Sequence, residues 1–161
     1  MKEILNCESG CCNINYTKEK SEYVHFRDRD VSYNTAGIAL IYNKSILLTQ
    51  SYNNLWGVPK GKQEENETLQ ECALRELKEE TGISFTNDIF NQLYKIYILT
   101  IHYHTMYIYI IKLNKKVFYN TSNIYPDCTG CGWINLSCII KTLPINTLTK
   151  RFLKFLKKNG F

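Results

Sequence analysis

The chain has 161 residues, of which 44% are apolar, 13% aromatic and 22% charged. This length and composition predict one domain with a full hydrophobic core and exclude collagen-like, disordered and membrane-spanning chains. The net charge of +5 divides into −4 over residues 1–88 and +9 over residues 89–161, an asymmetry that suggests a polyanionic partner.

The first 32 residues are polar, contain three cysteines and show neither a helical nor a strand period, so we predict an arm or a small subdomain. They lack the apolar core of a secretory signal, and the chain has an odd number of cysteines, seven. Both features predict a reducing, cytoplasmic setting without membrane attachment. No segment of the sequence indicates a protein partner.

The next segment predicts a hairpin, a loop and a helix. Residues 35–42 and 45–50 are apolar runs around an Asn-Lys pair, which is typical of a hairpin. Residues 53–62 contain two glycines and a proline and predict a loop. A capping-box pattern then predicts a helix that begins at Thr68 and ends at Gly82.

A second pair of strands is predicted over residues 92–99 and 105–113, which are rich in Tyr, Ile and Leu. His102 and His104 lie near the turn between these strands. Because no third metal ligand lies near them in sequence, we interpret both as strand residues.

The last third of the chain predicts less regular structure. Residues 115–132 form an irregular segment, and residues 133–140 predict a short final strand. A helix is predicted over residues 147–158, shortly after Pro144.

The predicted helix that begins at Thr68 carries an acidic stripe of Glu76, Glu79 and Glu80. Residues three and four apart on a helix have Cβ atoms about 5–6 Å apart, so these carboxylates repel unless a cation lies between them. Arg75 alone cannot neutralise the cluster. Hard oxygen ligands at this density favour Mg²⁺ or Mn²⁺. A solvated acidic face is the alternative interpretation.

Residues 61–83 match the pattern G-x5-E-x7-R-E-U-x-E-E-x-G-U, where U is apolar, at every fixed position. The chain thereby resembles the Nudix hydrolases from about residue 35 onward, so residues 33–161 are predicted as the Nudix domain. The resemblance implies an α/β/α sandwich with a mixed sheet, in which this Nudix box forms loop, helix and loop. It also implies metal-assisted hydrolysis of a pyrophosphate bond in a nucleoside diphosphate derivative.

The resemblance implies metal ligands within and beside the box. Glu76, Glu79 and Glu80 correspond to the ligand carboxylates, and the backbone carbonyl of Lys60 is a further candidate ligand. Mg²⁺ or Mn²⁺ there would polarise a phosphoryl oxygen and lower the pKa of a bound water.

Further roles follow from the same match. Arg75 would orient Glu76 or Glu79, and Glu67 would support the ligand shell. Glu79 would accept the proton of the attacking water. A carboxylate on a later loop often supplies a base in this family, and Asp127 is the only acid after residue 88. The base is therefore either Asp127 or a helix glutamate, and Asp127 has the alternative interpretation of an ordinary turn residue.

The lead-in W-G-V-P-K-G-K at residues 56–62 and the C-A pair inside the box resemble the Nudix domain of mRNA-decapping enzymes, although Val58 stands where Phe is usual. The resemblance implies hydrolysis of the 5′ cap of mRNA with release of 7-methylguanosine diphosphate. Lys60 and Lys62 would bring two ammonium groups to the phosphates. The 32-residue arm is too short for the regulatory lobe of cellular decapping enzymes, so a minimal or viral-type enzyme is implied.

Other functions remain open at this point. Hydrolases of dinucleoside polyphosphates also carry a P-K-G lead-in, commonly followed by His, and diphosphoinositol hydrolases more often carry P-G-G. The fold could also serve as a non-catalytic RNA-binding module.

The predicted C-terminal helix, residues 147–158, supports an RNA substrate. Five cations without an acid follow its polar positions: Lys150, Arg151, Lys154, Lys157 and Lys158. Such a face can follow a phosphate backbone, and a solvated cover helix is the alternative. Aromatic side chains that could stack on a base are Tyr52, Trp56, Tyr103, Tyr107 and Trp133.

The cysteines suggest a second metal. Cys128 and Cys131 form a C-x-x-C-G knuckle, and Cys7, Cys11 and Cys12 form a second cluster. Four thiolates from the two clusters would hold a structural Zn²⁺ that pins the N-terminal arm to the loop of residues 128–131. Reduced thiols without metal are the alternative.

Overall fold

A computed structural model of the chain describes residues 3–6, 12–16, 31–51, 53–120, 128–138 and 143–161. Over these ranges, one sheet of nine strands lies between two α-helices. None of the helices in these ranges is long and apolar enough to cross a membrane.

The strands and helices have the following bounds: β1 Glu3–Asn6, β2 Asn13–Tyr16, β3 Tyr33–Tyr42, β4 Ser45–Ser51, β5 Trp56–Gly57, β6 Lys60–Lys62, α1 Leu69–Thr81, β7 Leu93–Ile101, β8 His104–Lys112, β9 Cys128–Asn135 and α2 Thr147–Lys158. A 3-10 helix, Asn87–Gln92, precedes β7. The strand order is β1-β2-β9-β4-β3-β8-β7, with β5 on β4 and β6 on β3. The sheet is mixed, because β3 and β8 are parallel whereas the other pairs are antiparallel.

Each helix covers one face of the sheet. Leu47 of β4 and Leu77 of α1 belong to the core on one face, and Leu48 of β4 and Phe152 of α2 belong to the core on the other. Alternate residues of a strand point to opposite faces, so neighbouring leucines serve different helices. The predicted α/β/α sandwich with a mixed sheet is confirmed.

The boundaries of α1 are set by the predicted caps. The backbone N–H of Glu71 donates to Thr68 Oγ1 over 3.2 Å, and Glu71 Oε2 accepts from the Thr68 backbone N–H over 2.8 Å. This reciprocal capping box satisfies two N–H groups at the helix start. Gly82 ends the helix at φ 73°, where its N–H donates to the carbonyl of Lys78 over 2.8 Å.

Both predicted strand pairs form hairpins. Asn43 turns the chain between β3 and β4 at φ 52°, a left-handed conformation that Asn tolerates well. His102 also lies at φ 52°, in the turn between β7 and β8. Its interpretation as a strand residue is therefore wrong, whereas His104 is the first residue of β8.

The N-terminal segment and strand β9 differ most from the predicted elements. The N-terminal segment contains a hairpin, β1 and β2, and β2 pairs with β9. Strand β9 begins five residues before the predicted start at residue 133 and ends at Asn135. The glycines in β9 weaken the strand pattern in the sequence. A Cβ at Gly132 would overlap Ile14 of β2, so the glycine allows these two strands to approach each other.

Candidate active site

The centre of the site is Arg75, which lies on α1 and gathers three carboxylates. Its Nε donates to Glu67 Oε1 over 2.7 Å and its Nη2 to Glu67 Oε2 over 3.1 Å. Its Nη1 donates to Glu76 over 2.6 Å and to Glu79 over 3.2 Å. A bidentate pair of this kind fixes the plane of the guanidinium. Arg75 therefore holds the predicted ligands Glu76 and Glu79 beside one nitrogen atom.

Arg75 also ties α1 to the strand that precedes the helix. Its Nη2 donates to the backbone carbonyl of Lys62 over 3.0 Å, at the end of β6. Cys72 makes a parallel contact, because its Sγ donates to the carbonyl of Gly61 over 3.6 Å. These two contacts join β6 to α1, in addition to the pair between Arg75 and Glu67.

Glu80 is held separately from the Arg75 assembly. Its Oε2 accepts a hydrogen bond from the hydroxyl of Thr49 on β4, and its Oε1 accepts from the backbone N–H of Lys60 over 3.3 Å. The third predicted ligand is therefore oriented by the sheet, whereas the other two are oriented by an arginine on their own helix.

Gly61 leaves room for a ligand carboxylate. A Cβ atom at this position would overlap the carboxylate of Glu76. Because any larger residue must displace that carboxylate, the glycine at the start of the box is required by close approach.

The charges of the site shift the pKa values of its groups in opposite directions. Hydrogen bonding to the Arg75 guanidinium lowers the pKa of Glu67, and the Glu67 and Glu76 carboxylates raise the pKa of Arg75. Burial raises the pKa of Cys72 to about 12, and the nearby charge of Glu67 adds to this shift. The arginine and Glu67 are therefore fixed in their ionised forms, and Cys72 is a neutral thiol.

The residues present fit Mg²⁺ or Mn²⁺. All the donor groups are hard carboxylate oxygens, and Glu76 and Glu79 lie within 3.2 Å of the same Arg75 nitrogen. No three His, Cys, Asp or Glu side chains converge on one point in the part of the chain that the structure describes. Mg²⁺ is commonly bound by one or two carboxylates together with water and substrate phosphates, so it does not need three protein side chains that already converge.

The two lysines of the lead-in lie next to this cluster. Lys60 and Lys62 both belong to β6, which pairs with β3. The Lys62 ammonium lies 5.7 Å from the centre of the Tyr33 ring, and this ring stacks on that of His104 with centroids 4.6 Å apart.

Two of the five aromatic side chains proposed for stacking are core residues. Trp56 is 1% exposed and Trp133 is 4% exposed, so a stacking role for either is not supported. Tyr107 packs against the core on the α1 face. Tyr103 is 63% exposed, in the turn between β7 and β8. Tyr52 lies outside the described residues.

The basic residues of α2 are exposed, and this helix covers the face of the sheet opposite α1. Its first turn nevertheless adjoins the lead-in, because the backbone N–H of Val58 donates to Thr149 Oγ1 over 3.4 Å. A Cβ at Gly57 would overlap the side chain of Asn146, the N-cap of α2. Lys150 and Arg151 therefore begin the basic face at the end of α2 that contacts the lead-in.

The structure does not support the zinc site. Cys12 packs in the core on the α2 face of the sheet and Cys131 in the core on the α1 face. Thiolates on opposite faces of a sheet cannot share one tetrahedral ion. Cys128 donates from Sγ to the carbonyl of Glu80 over 3.2 Å. The two other proposed ligands, Cys7 and Cys11, lie outside the described residues, as does the candidate base Asp127.

One residue of this site, Thr49, carries no signal strong enough to be found from the sequence. Thr49 occupies a position of β4 that faces α1, two residues after the core residue Leu47. An isolated threonine in a strand is common, so only its contact with Glu80 reveals it. Gly61 is a fixed position of the box, but its contact with Glu76 is visible only in three dimensions.

Comparisons with known proteins agree with this geometry. The family model described as NUDIX domain matches residues 32–122, more than half of the chain. A protein of Invertebrate iridescent virus 3, named "Putative hydrolase 111R", is 32% identical over 161 residues, which are 98% of this chain and 91% of the relative.

Solved structures share the fold at lower identity. A bifunctional NMN adenylyltransferase/ADP ribose pyrophosphatase from Francisella tularensis, complexed with AMP and a Mn ion, has a TM-score of 0.70 at 19% identity over 83% of this chain. This chain spans 43% of that protein. An Ap4A hydrolase from C. elegans has a TM-score of 0.55 at 22% identity, over 80% of this chain and 99% of that one.

Proposed function

The chain belongs to the Nudix hydrolase family, and we propose that it hydrolyses the 5′ cap of mRNA and releases 7-methylguanosine diphosphate. The observation that carries the choice of RNA is the contact between Val58 in the lead-in and Thr149 in the first turn of α2. This contact places the lead-in, which carries Lys60 and Lys62, next to the first turn of α2, which carries the first of the basic residues. A long polyanion is the ligand that makes use of both.

The chemistry of the site follows from its carboxylates. Bound at this site, Mg²⁺ or Mn²⁺ would supply Lewis-acid polarisation of a phosphoryl oxygen and a water with a lowered pKa. Glu76, Glu79 and Glu80 are the side chains that would hold it, with the Lys60 carbonyl as a further ligand. Arg75 holds Glu76 and Glu79 in position through its Nη1 atom.

We assign proton transfer to Glu79. This glutamate has a longer contact with Arg75 than Glu76 does, 3.2 Å against 2.6 Å, so it is less firmly held by the guanidinium. A base must be ionised and within reach of the water from which it takes a proton. Asp127 is the alternative base.

Phosphate recognition is assigned to Lys60, Lys62 and the α2 cations. Lys60 and Lys62 would contact the phosphates at the scissile bond, where point charges neutralise the polyphosphate. Lys150, Arg151 and Lys154 would contact the following RNA phosphates, which makes binding dependent on salt. The odd number of cysteines in the sequence supports a reducing, cytoplasmic setting.

A small-molecule substrate is the second candidate. The fold is shared with an Ap4A hydrolase of similar length, and the P-K-G lead-in at residues 59–61 is common to such enzymes and the decapping enzymes. In a dinucleoside polyphosphate, the same lysines would bind the phosphates, and the α2 cations would have no role. Diphosphoinositol polyphosphates are a less favoured alternative, because their hydrolases more often carry P-G-G at this point.

The substrate is tested by measuring kcat/KM on three compounds under the same Mg²⁺ or Mn²⁺ concentration: capped RNA of about 30 nucleotides, free cap dinucleotide and diadenosine tetraphosphate. We expect capped RNA to be the best substrate and 7-methylguanosine diphosphate to be its product. Hydrolysis of the small molecules alone would overturn the RNA assignment and favour the second candidate.

A further inference from the structure

Glu80 is held by the sheet at both of its carboxylate oxygens. Oε2 accepts from the hydroxyl of Thr49 on β4, and Oε1 accepts from the backbone N–H of Lys60 on β6. Strands β4 and β6 are not paired with each other, because β6 pairs with β3 and the short strand on β4 is β5. The carboxylate of Glu80 therefore bridges two strands from the end of α1.

Thr49 is well suited to fix this carboxylate. It is 4% exposed and is paired on both sides, opposite Cys131 of β9 and Gly57 of β5. Threonine is restricted at χ1 by its branched Cβ, so its hydroxyl has few alternative directions. A buried hydroxyl aimed at a carboxylate is a more rigid donor than a surface side chain or water.

The contact also separates the acidic stripe into two groups. Glu76 and Glu79 are drawn to the Arg75 guanidinium, by hydrogen bonds of 2.6 and 3.2 Å. Glu80 follows Glu79 directly in the sequence, but its donors are a hydroxyl and a backbone amide on the sheet. The third carboxylate therefore has its orientation fixed by donors other than the Arg75 guanidinium that binds the first two.

We propose that Thr49 is a positioning residue that holds Glu80 in the orientation in which it binds the divalent metal ion. The proposal rests on the proposed function, because it takes Glu80 as a metal ligand. A carboxylate has about four lone-pair sites, so one hydrogen bond to each oxygen leaves sites for a cation. Hydrogen bonds from an outer residue to a ligand orient it and reduce the entropy lost on binding the metal.

The contact between Thr49 and Glu80 could have the opposite effect on metal binding, and the same experiment tests this. If the hydroxyl of Thr49 competed with the metal for Glu80, its removal would strengthen metal binding. If it positions Glu80, its removal weakens metal binding. The direction of one measured change therefore decides between the two.

The experiment compares three variants with the wild-type protein. Thr49→Val removes the hydroxyl and keeps the shape, and Thr49→Ser restores the hydroxyl. Thr35→Val is the matched control, because Thr35 is also a buried strand threonine, 7% exposed, whose hydroxyl lies 2.8 Å from His104 Nε2 rather than a carboxylate. The main readout is the dissociation constant for Mn²⁺, measured by calorimetry without substrate.

We expect Thr49→Val to weaken Mn²⁺ binding by about 10-fold, within the range of roughly 10–100-fold typical of residues that orient a ligand. Thr49→Ser should recover most of the affinity, and Thr35→Val should leave it unchanged. In the hydrolysis assay, Thr49→Val should raise the Mn²⁺ concentration needed for half-maximal rate while the KM for nucleotide stays the same.

A second readout uses the metal-free protein. The unfolding free energies of Thr49→Val, Glu80→Ala and the double variant should be non-additive, because both single changes break the same hydrogen bond. Additive changes, or Mn²⁺ affinity in Thr49→Val equal to or higher than wild type, would overturn the positioning role alone. A wild-type protein that does not bind Mn²⁺ would overturn the proposed function as well.

Discussion

Arg75 and Glu67 form a bidentate ion pair, with Arg75 Nε 2.7 Å from Glu67 Oε1 and Arg75 Nη2 3.1 Å from Glu67 Oε2. This pair uses one edge of the guanidinium and turns Nη1 toward Glu76 and Glu79. Glu67 therefore acts on the candidate ligands indirectly, by fixing the group that fixes them.

Replacing Glu67 by Gln should destabilise the protein and impair its activity. The change leaves the partly buried Arg75 guanidinium with fewer charged acceptors, which costs about 1–3 kcal/mol for a charged hydrogen-bonded partner. Urea unfolding at pH 7 measures this loss, and Glu65→Gln, an exposed carboxylate nearby, is the control. Equal stability of the two variants would contradict the role given to the pair.

The same substitution should change the pH dependence of stability. Because the folded-state pKa of Glu67 lies below its ordinary value of 4.5, its ionised form stabilises the fold above that value. This stabilisation is lost as the pH falls through the lowered pKa. The difference in unfolding free energy between wild type and Glu67→Gln should therefore shrink on acidification below pH 4.5, and a constant difference would argue against the ion pair.

Gly61→Ala should reduce activity much more than stability. The added methyl group would overlap the carboxylate of Glu76 and force it out of the Arg75 assembly. A displacement of about 1 Å at a catalytic group can cost roughly 10²-fold in rate. We expect a fall of this size in kcat with a melting temperature close to that of wild type. Full activity in Gly61→Ala would show that the position of Glu76 is not required.

The basic face of α2 should control the salt dependence of RNA binding. Replacing Lys150, Arg151 and Lys154 by Ala removes three phosphate contacts, so the slope of log K against log salt should fall by about 2 to 3 units. Hydrolysis of free cap dinucleotide should not change.

The matched control for this prediction removes the same charge elsewhere, at Lys78, Lys115 and Lys116, which are also exposed. It should retain the wild-type slope. If the slope of log K against log salt falls equally in both triple variants, RNA binding depends on net charge rather than on a defined path along α2.

Cys72 should resist alkylation in the folded protein. Its pKa is raised to about 12 by burial, so the reactive thiolate is nearly absent at pH 8. A short pulse of N-ethylmaleimide followed by peptide mapping should label the half-buried Cys138 before Cys72. Rapid labelling of Cys72 would contradict the buried, neutral thiol.

Much of the fold could be predicted because its signals are local. The cap residues Thr68 and Gly82 set the ends of α1, and a left-handed Asn43 sets the first hairpin. The box pattern identifies the acidic stripe and its arginine. These features depend on residues within a few positions of each other, so the sequence alone contains them.

The remainder depends on contacts between distant residues. The pairing of β2 with β9 joins segments more than 100 residues apart, through a glycine that accommodates Ile14. The burial of Trp56 follows from the packing of α2 over β5, which its motif does not reveal. The sequence likewise suggests one zinc ion shared by Cys12 and Cys131, whereas these two side chains belong to cores on opposite faces of the sheet.

The most direct test of the account is the metal-dependent activity of the double variant Glu79→Gln, Glu80→Gln on the best substrate of the wild-type enzyme. These changes keep the side-chain shapes and remove two candidate ligands, one of which is the assigned base. We predict a loss of roughly 10²–10⁴-fold in kcat/KM, whereas Glu64→Gln, Glu65→Gln, which removes the same charge from exposed positions, remains active. Activity of the first double variant at the level of the second would contradict the assignment of catalysis to the acidic face of α1.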